Sequence, residues 1–181
     1  IYQGNCRTAD LPLDRSAIRL INQFGYHSYQ DLIQGQVQCD QALAEEDFTI
    51  LRKDGLFAYQ LAVVVDDIFQ GITHVIRGCD LLEPTARQLS FFQTLSFAAP
   101  RYGHIPLAVT EQGYKLSKQN KAPAINTKHP QPALIAALDF LGQEPPQELR
   151  TYPVEDIINW ALAHWDNSKI PQKREIMLGE N

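Results

Sequence analysis

The 181 residues are 44% hydrophobic and 20% charged, enough to bury a core and too apolar for a disordered or fibrous protein. A formal net charge of −5 excludes a global basic field for nucleic acid, so any contact with RNA must come from a local site. The longest apolar run, "LAVVV" from Leu61 to Val65, is far short of a bilayer span, and no membrane partner is expected.

The chain opens on Ile1 with neither Met nor a signal-peptide pattern, and "YQGNCR" is already dense in turn-forming residues. This reads as entry into the middle of a protein, with an N-terminal piece expected before it. Cys6, Cys39 and Cys79 are odd in number and widely spaced, which argues against a disulfide framework and for a reducing compartment such as the cytoplasm. A short apolar alternation from Ser16 to Ile21 predicts a strand. "DFTILRKDG" from Asp47 to Gly55 repeats that signal, with a turn at Asp54-Gly55. From Leu56 to Gly71 the chain is apolar, then acidic, then apolar, and periodicity does not separate strand from helix there. "ITHVIRG" from Ile72 to Gly78 is rich in β-branched residues and reads as a strand closed by glycine. "EPTARQLSFFQTLSF" follows as an amphipathic helix with Pro84 in its first turn.

"IPLAV" predicts a further buried strand that ends at a Gly113 turn. Strand, helix, strand is the grammar of an open parallel α/β sheet. After Lys121 the texture turns helical, with helices expected over Pro132–Gly142 and Pro153–Trp165 and a polar tail that frays after Asp166. The expected organisation is therefore a connective segment over 1–30, an α/β half-domain over 31–120 and a helical appendage over 121–181.

Four features carry possible chemistry. Asp66 and Asp67 are adjacent carboxylates, but neighbours on one element point in different directions, which favours a turn or cap role over a shared Mg²⁺. Arg77 falls at the carboxyl end of a predicted strand beside a glycine, where parallel sheets place ligands, and its planar fork suits a carboxylate. A structural ion pair with Asp80 or Glu83 explains it equally well. Tyr59 offers a hydroxyl to the same pocket, or is a core tyrosine with its OH satisfied. "KLSKQN" from Lys115 to Asn120 places two ammonium groups on a loop after a buried strand, suited to phosphate charge or to a solvated turn.

Taken together, "DGLFAYQLAVVVDDIFQGITHVIRGCDLLEPTARQLSFFQTLSF" and "HIPLAVTEQGYKLSKQN" resemble the second half of the catalytic domain of class I glutamyl-tRNA synthetases. Within that family they resemble a branch without an anticodon-binding domain, and the likeness covers nearly the whole chain. It implies an α/β fold: the second half of a Rossmann-like nucleotide-binding domain, then a small helical appendage similar to a stem-contact fold. It also implies an ATP-dependent ligase, a cytoplasmic monomer, that activates glutamate as glutamyl-adenylate and transfers it to the queuosine base of tRNA(Asp). By this resemblance Tyr59 and Arg77 bind glutamate. Lys115, Leu116, Ser117, Lys118 and Gln119 form the ATP signature loop, in which Lys118 is catalytic and touches the phosphates, and the backbone around "IPLAV" lies near the adenine. Mg²⁺ accompanies the ATP. Tyr2 and Cys6 match two of four Zn²⁺ ligands, and Asp66 and Asp67 carry no metal role.

The family's first half, with its "HIGH"-type signature and a glutamate-contacting arginine, is missing from the sequence, as is the Cys-x-Cys pair of the zinc segment. The chain is therefore expected to be the C-terminal portion of a longer protein. Two other readings stand beside this one: an ordinary glutamyl-tRNA synthetase cut before its anticodon-binding domain, and a non-catalytic α/β binding module.

Overall fold

The computed structural model describes residues 2, 4–9, 11–12, 16–111, 113–117, 122 and 124–178. The chain forms two compact units, Ile1–His104 and Ile105–Asn181. Helices and strands are mixed throughout, giving an α/β chain.

In the first unit, β1 (Ile18–Arg19) pairs antiparallel with β4 (Thr49–Leu51). β2 (Ser28–Asp31) and β3 (Gly35–Gln38) form an antiparallel hairpin. Its turn is set by Asp31, whose Oδ1 accepts the backbone N–H groups of Ile33 and Gln34, both at 2.9 Å. A one-turn helix, α1 (Gln41–Glu45), follows, capped by the Asp40 side chain.

The ambiguous stretch after Gly55 resolves as a helix, α2 (Tyr59–Gln70). Leu61, Val64 and Ile68 recur at helical spacing and pack into one cluster with Phe48, Phe91 and Phe92. Burial of that stripe outweighs the strand preference of three consecutive valines. Gly71 ends α2 in the left-handed conformation. Strand β5 (His74–Gly78) pairs with β6 (Arg101–Ile105). Between them lies α3 (Thr85–Thr94), which buries Leu89 against Tyr29, Val37, Leu82 and Tyr102, and Phe91 and Phe92 in the other cluster. Each fully buried aromatic or leucine contributes about 1.5–3 kcal/mol, so α3 ties both cores of this unit together.

In the second unit, β7 (Leu107–Val109) pairs in parallel with β8 (Glu175–Met177). The tail expected to fray after Asp166 thus supplies a strand. Its pairing is extended by Leu107 N–H donating to Arg174 O and Leu178 N–H donating to Val109 O, both at 2.9 Å. The helices α4 (Gln131–Phe140) and α5 (Val154–His164) pack through Ile135, Leu138, Leu149 and Ile157. Among the described residues the strands pair two by two, and β7 with β8 is parallel. No helix among the described residues is long and apolar enough to cross a membrane.

Candidate functional site

Arg77 occupies the carboxyl end of β5, as its sequence position implies. The guanidinium lies over the Tyr102 ring, 5.0 Å from its centre. Its Nε–H donates to His104 Nε2 at 3.1 Å, and Nη2 donates to Thr85 Oγ1 at 2.6 Å and to Leu81 O at 3.4 Å. Among the described residues its hydrogen bonds do not go to the carboxylate of Asp80 or Glu83, so the structural ion pair is not what holds it. Burial pulls the guanidinium below its ordinary value, opposed by Tyr102, Tyr59, Tyr29 and Asp67. Nη1 carries no hydrogen bond among the described residues. The Nε and Nη2 edge of the guanidinium is therefore anchored, and the two N–H groups of Nη1 are left to meet a ligand.

Beneath Arg77 lies a buried pair that sequence reasoning missed. Asp31 is 1% exposed and His104 is fully buried. The Asp31 carboxylate faces His104 Nδ1 at 2.6 Å and accepts the His104 backbone N–H at 3.1 Å. Burial raises the Asp31 carboxyl, but hydrogen bonds from His104, Gln34 and Ile33 more than offset it and leave it below the ordinary carboxylate value. Gln34 Nε2 also donates to His104 O at 2.8 Å, fastening the hairpin turn to β6. The signal was faint: an Asp in a turn-forming "DLIQG" and one His before "IPLAV", far apart in sequence.

Tyr59 begins α2 and is 60% exposed, so it is not a core tyrosine. Electrostatically it is within reach of Arg77. Asp66 and Asp67 lie inside α2 and not in a turn, and the cap of α2 is made by the Asp67 and Ile68 carbonyls, not by either carboxylate. Burial raises the Asp67 carboxyl, with Arg77 opposing and Asp66 adding to the rise.

Tyr2 and Cys6 come together in the turn around Gly4–Thr8: the Tyr2 hydroxyl accepts the Cys6 N–H at 2.6 Å. Hydrogen bonding with the Cys6 side chain raises the Tyr2 phenol above its ordinary value. Among the described residues, no group of three or more His, Cys, Asp or Glu is placed to hold a metal.

In the second unit the chain leaves β7 through a turn in which Thr110 N–H donates to Tyr114 O at 2.9 Å and Gly113 N–H to Thr110 O at 2.8 Å. Lys115 returns antiparallel beside Val109, and Leu116 N–H donates to Ala108 O at 2.8 Å. The lysine loop is thereby started at the carboxyl end of β7, where parallel strands present ligand sites. Lys118 and Gln119 lie outside the described residues.

The family model for class I tRNA synthetases (E and Q), catalytic domain, matches residues 12–166. The chain is similar to the Glutamyl-Q tRNA(Asp) synthetase of Colwellia psychrerythraea, at 64% identity over 97% of this chain and 58% of that one. It is 47% identical to the Glutamyl-Q tRNA(Asp) synthetase of Serratia proteamaculans over 100% of this chain and 60% of the relative. It therefore spans about three fifths of the length of these curated relatives. The crystal structure of a glutamate-tRNA synthetase from Elizabethkingia anophelis superposes with a TM-score of 0.65 at 21% identity, over 90% of this chain and 36% of that one. That likeness shows a shared fold.

Proposed function

The chain belongs to the class I tRNA synthetases of the glutamate and glutamine type, and from that premise we propose that it carries the second half of a glutamate-activating catalytic domain. The full-length protein would join the glutamate α-carboxylate to the α-phosphate of ATP, giving glutamyl-adenylate and pyrophosphate. A hydroxyl of queuosine in tRNA(Asp), the acceptor that the relatives' names suggest, would then attack the mixed anhydride, forming the glutamyl ester and releasing AMP. The observation that carries this reading is Arg77: a guanidinium held along its Nε and Nη2 edge by His104, Thr85 and Leu81, with Nη1 carrying no hydrogen bond among the described residues, suits a substrate carboxylate.

Tyr59 would lend its exposed hydroxyl to the same ligand. The lysine loop would stabilise negative charge on the departing pyrophosphate through Lys118, a site that works by positioning and electrostatics. Mg²⁺ would travel with the ATP phosphates and offset their charge. Tyr2 and Cys6 would supply two ligands of a structural zinc, with any others outside the described residues.

The test uses the full-length protein. ATP–pyrophosphate exchange is measured with glutamate and no tRNA, followed by transfer of labelled glutamate to tRNA(Asp) with and without queuosine. Exchange without tRNA and transfer confined to the modified tRNA are expected. Exchange that strictly requires tRNA(Glu), or charging of that tRNA, would overturn the reading in favour of an ordinary glutamyl-tRNA synthetase.

A further inference from the structure

The buried groups beneath Arg77 have a definite donor and acceptor order. Ionised Asp31 has only acceptors, so the His104 nitrogen 2.6 Å away must carry the proton, at Nδ1. Arginine has only donors, so His104 Nε2, 3.1 Å from Arg77 Nε, must present its lone pair. Thr85 completes the order. Its hydroxyl lies 2.9 Å from Leu81 O, to which it donates, and accepts from Arg77 Nη2 at 2.6 Å. Its 3.2 Å approach to His104 Nε2 then needs no further proton. Every hydrogen in the chain Asp31–His104–Arg77–Thr85–Leu81 has one consistent place, and all of these groups lie in the first unit.

We infer that Asp31 and His104 are positioning residues: Asp31 fixes the Nδ1–H tautomer of His104, and His104 Nε2 with Thr85 Oγ1 then clamps one edge of Arg77 so that its outer end receives the glutamate carboxylate. The inference rests on the reading of Arg77 as the carboxylate fork and adds the residues that aim it. A neutral Asn at position 31 keeps the shape but offers an N–H toward Nδ1. The ring proton moves to Nε2, where it meets the Arg77 Nε–H, donor against donor. The fork then turns or loses its anchor.

Two measurements on the full-length protein test this. Ring ¹⁵N chemical shifts of His104, assigned with a His104→Gln variant, should show Nδ1 protonated and Nε2 bare in the parent. A ring protonated at Nε2, or at both nitrogens, overturns the inference without reference to activity and without an Asp31 variant. In pyrophosphate exchange, Asp31→Asn and His104→Ala should raise KM for glutamate roughly tenfold or more, the scale of an orphaned donor, while KM for ATP holds. His104→Gln, whose amide oxygen can reach the place of Nε2, should restore KM to within about threefold of the parent, a change of about 0.65 kcal/mol. If Arg77→Lys raises KM for glutamate and His104→Ala does not, the positioning inference falls while the carboxylate fork stands. If Arg77→Lys leaves KM unchanged, the reading of the fork falls with it.

Discussion

Arg7 lies side-on against Asp47, with Nε 2.6 Å from Oδ2 and Nη2 2.7 Å from Oδ1. Asn22 N–H adds a third bond to the same carboxylate at 2.9 Å, and Arg19 Nη1 donates to the Asp47 carbonyl at 2.8 Å. The turn that carries Tyr2 and Cys6 is thus tied to the residues just before β4. The Arg7 hydrogen bond is the chief reason the Asp47 carboxyl sits below its ordinary value. A carboxyl lowered by folding stabilises the folded state above the unfolded value, and that contribution is lost as pH falls through the folded value. Arg7→Ala should therefore lower stability most at neutral pH. The gap to the parent should close below the unfolded carboxylate value of about 3.9, as read by chemical denaturation at several pH values. A gap independent of pH would show that the pair is not what the substitution removes.

Gly142 follows α4 with φ +72°, and the bonds from Gly142 N–H to Asp139 O and from Gln143 N–H to Leu138 O close a Schellman motif. A Cβ there would stand 2.3 Å from Lys169 O, a backbone atom that cannot swing away. Gly71 ends α2 in the same left-handed region, at φ +66°, with nothing within 4 Å of its would-be Cβ. Gly71→Ala should cost about 1 kcal/mol of conformational strain. Gly142→Ala should cost clearly more, lowering Tm by several degrees beyond it. Equal shifts in thermal melts would mean that the second unit opens at Lys169 to make room.

Tyr29 and Tyr102 are both buried, but only one hydroxyl is satisfied among the described residues. Tyr29 donates to Leu82 O at 2.8 Å, whereas the Tyr102 hydroxyl has no partner. Burial raises both phenols above their ordinary value, so neither helps by ionising near neutrality. Tyr29→Phe should cost about 1 kcal/mol, and Tyr102→Phe should be neutral or slightly stabilising. Denaturant midpoints decide it, and a loss at Tyr102 matching that at Tyr29 would refute the distinction.

Local pattern carried much of the fold. Helices α3, α4 and α5 were legible because proline at the start and apolar spacing are short-range signals. Pairing was not, since β8 is three residues whose role exists only against β7, more than sixty positions earlier in the chain. The site divides the same way. The place of Arg77 at the end of a strand, beside a glycine, was legible, and its role as a ligand site stays a proposal. Asp31 and His104, however, are ordinary polar residues until the hairpin turn brings them within 2.6 Å. The composition change near residue 121 falls inside the second unit, whose compactness comes from contacts that no window of sequence displays.

Arg77→Lys retains the charge and loses the planar fork. If the open end of the guanidinium receives glutamate, KM for glutamate in pyrophosphate exchange should rise by about tenfold or more, with KM for ATP nearly constant. Circular dichroism and the denaturant midpoint should stay close to the parent. A large loss of stability with unchanged KM would return Arg77 to a purely structural role.

The lysine loop separates charge from backbone. Lys115 is placed by its pairing beside Val109, so a substitution there alters a side chain whose backbone is already fixed by the strand. Lys118, three positions on in the sequence, lies outside the described residues, and its proposed role is that of an ammonium on a flexible stem meeting phosphate charge. Lys118→Ala in the full-length protein should lower kcat for pyrophosphate exchange by about 10²–10³-fold, the usual loss when one well-placed charge stabiliser is removed. If the proposed charge develops in the transition state, KM for ATP should change far less. Lys115→Ala should be the milder variant on kcat. Near-parental exchange by the Lys118 variant would make "KLSKQN" a solvated turn, and an effect confined to KM for ATP would make it a ground-state phosphate grip.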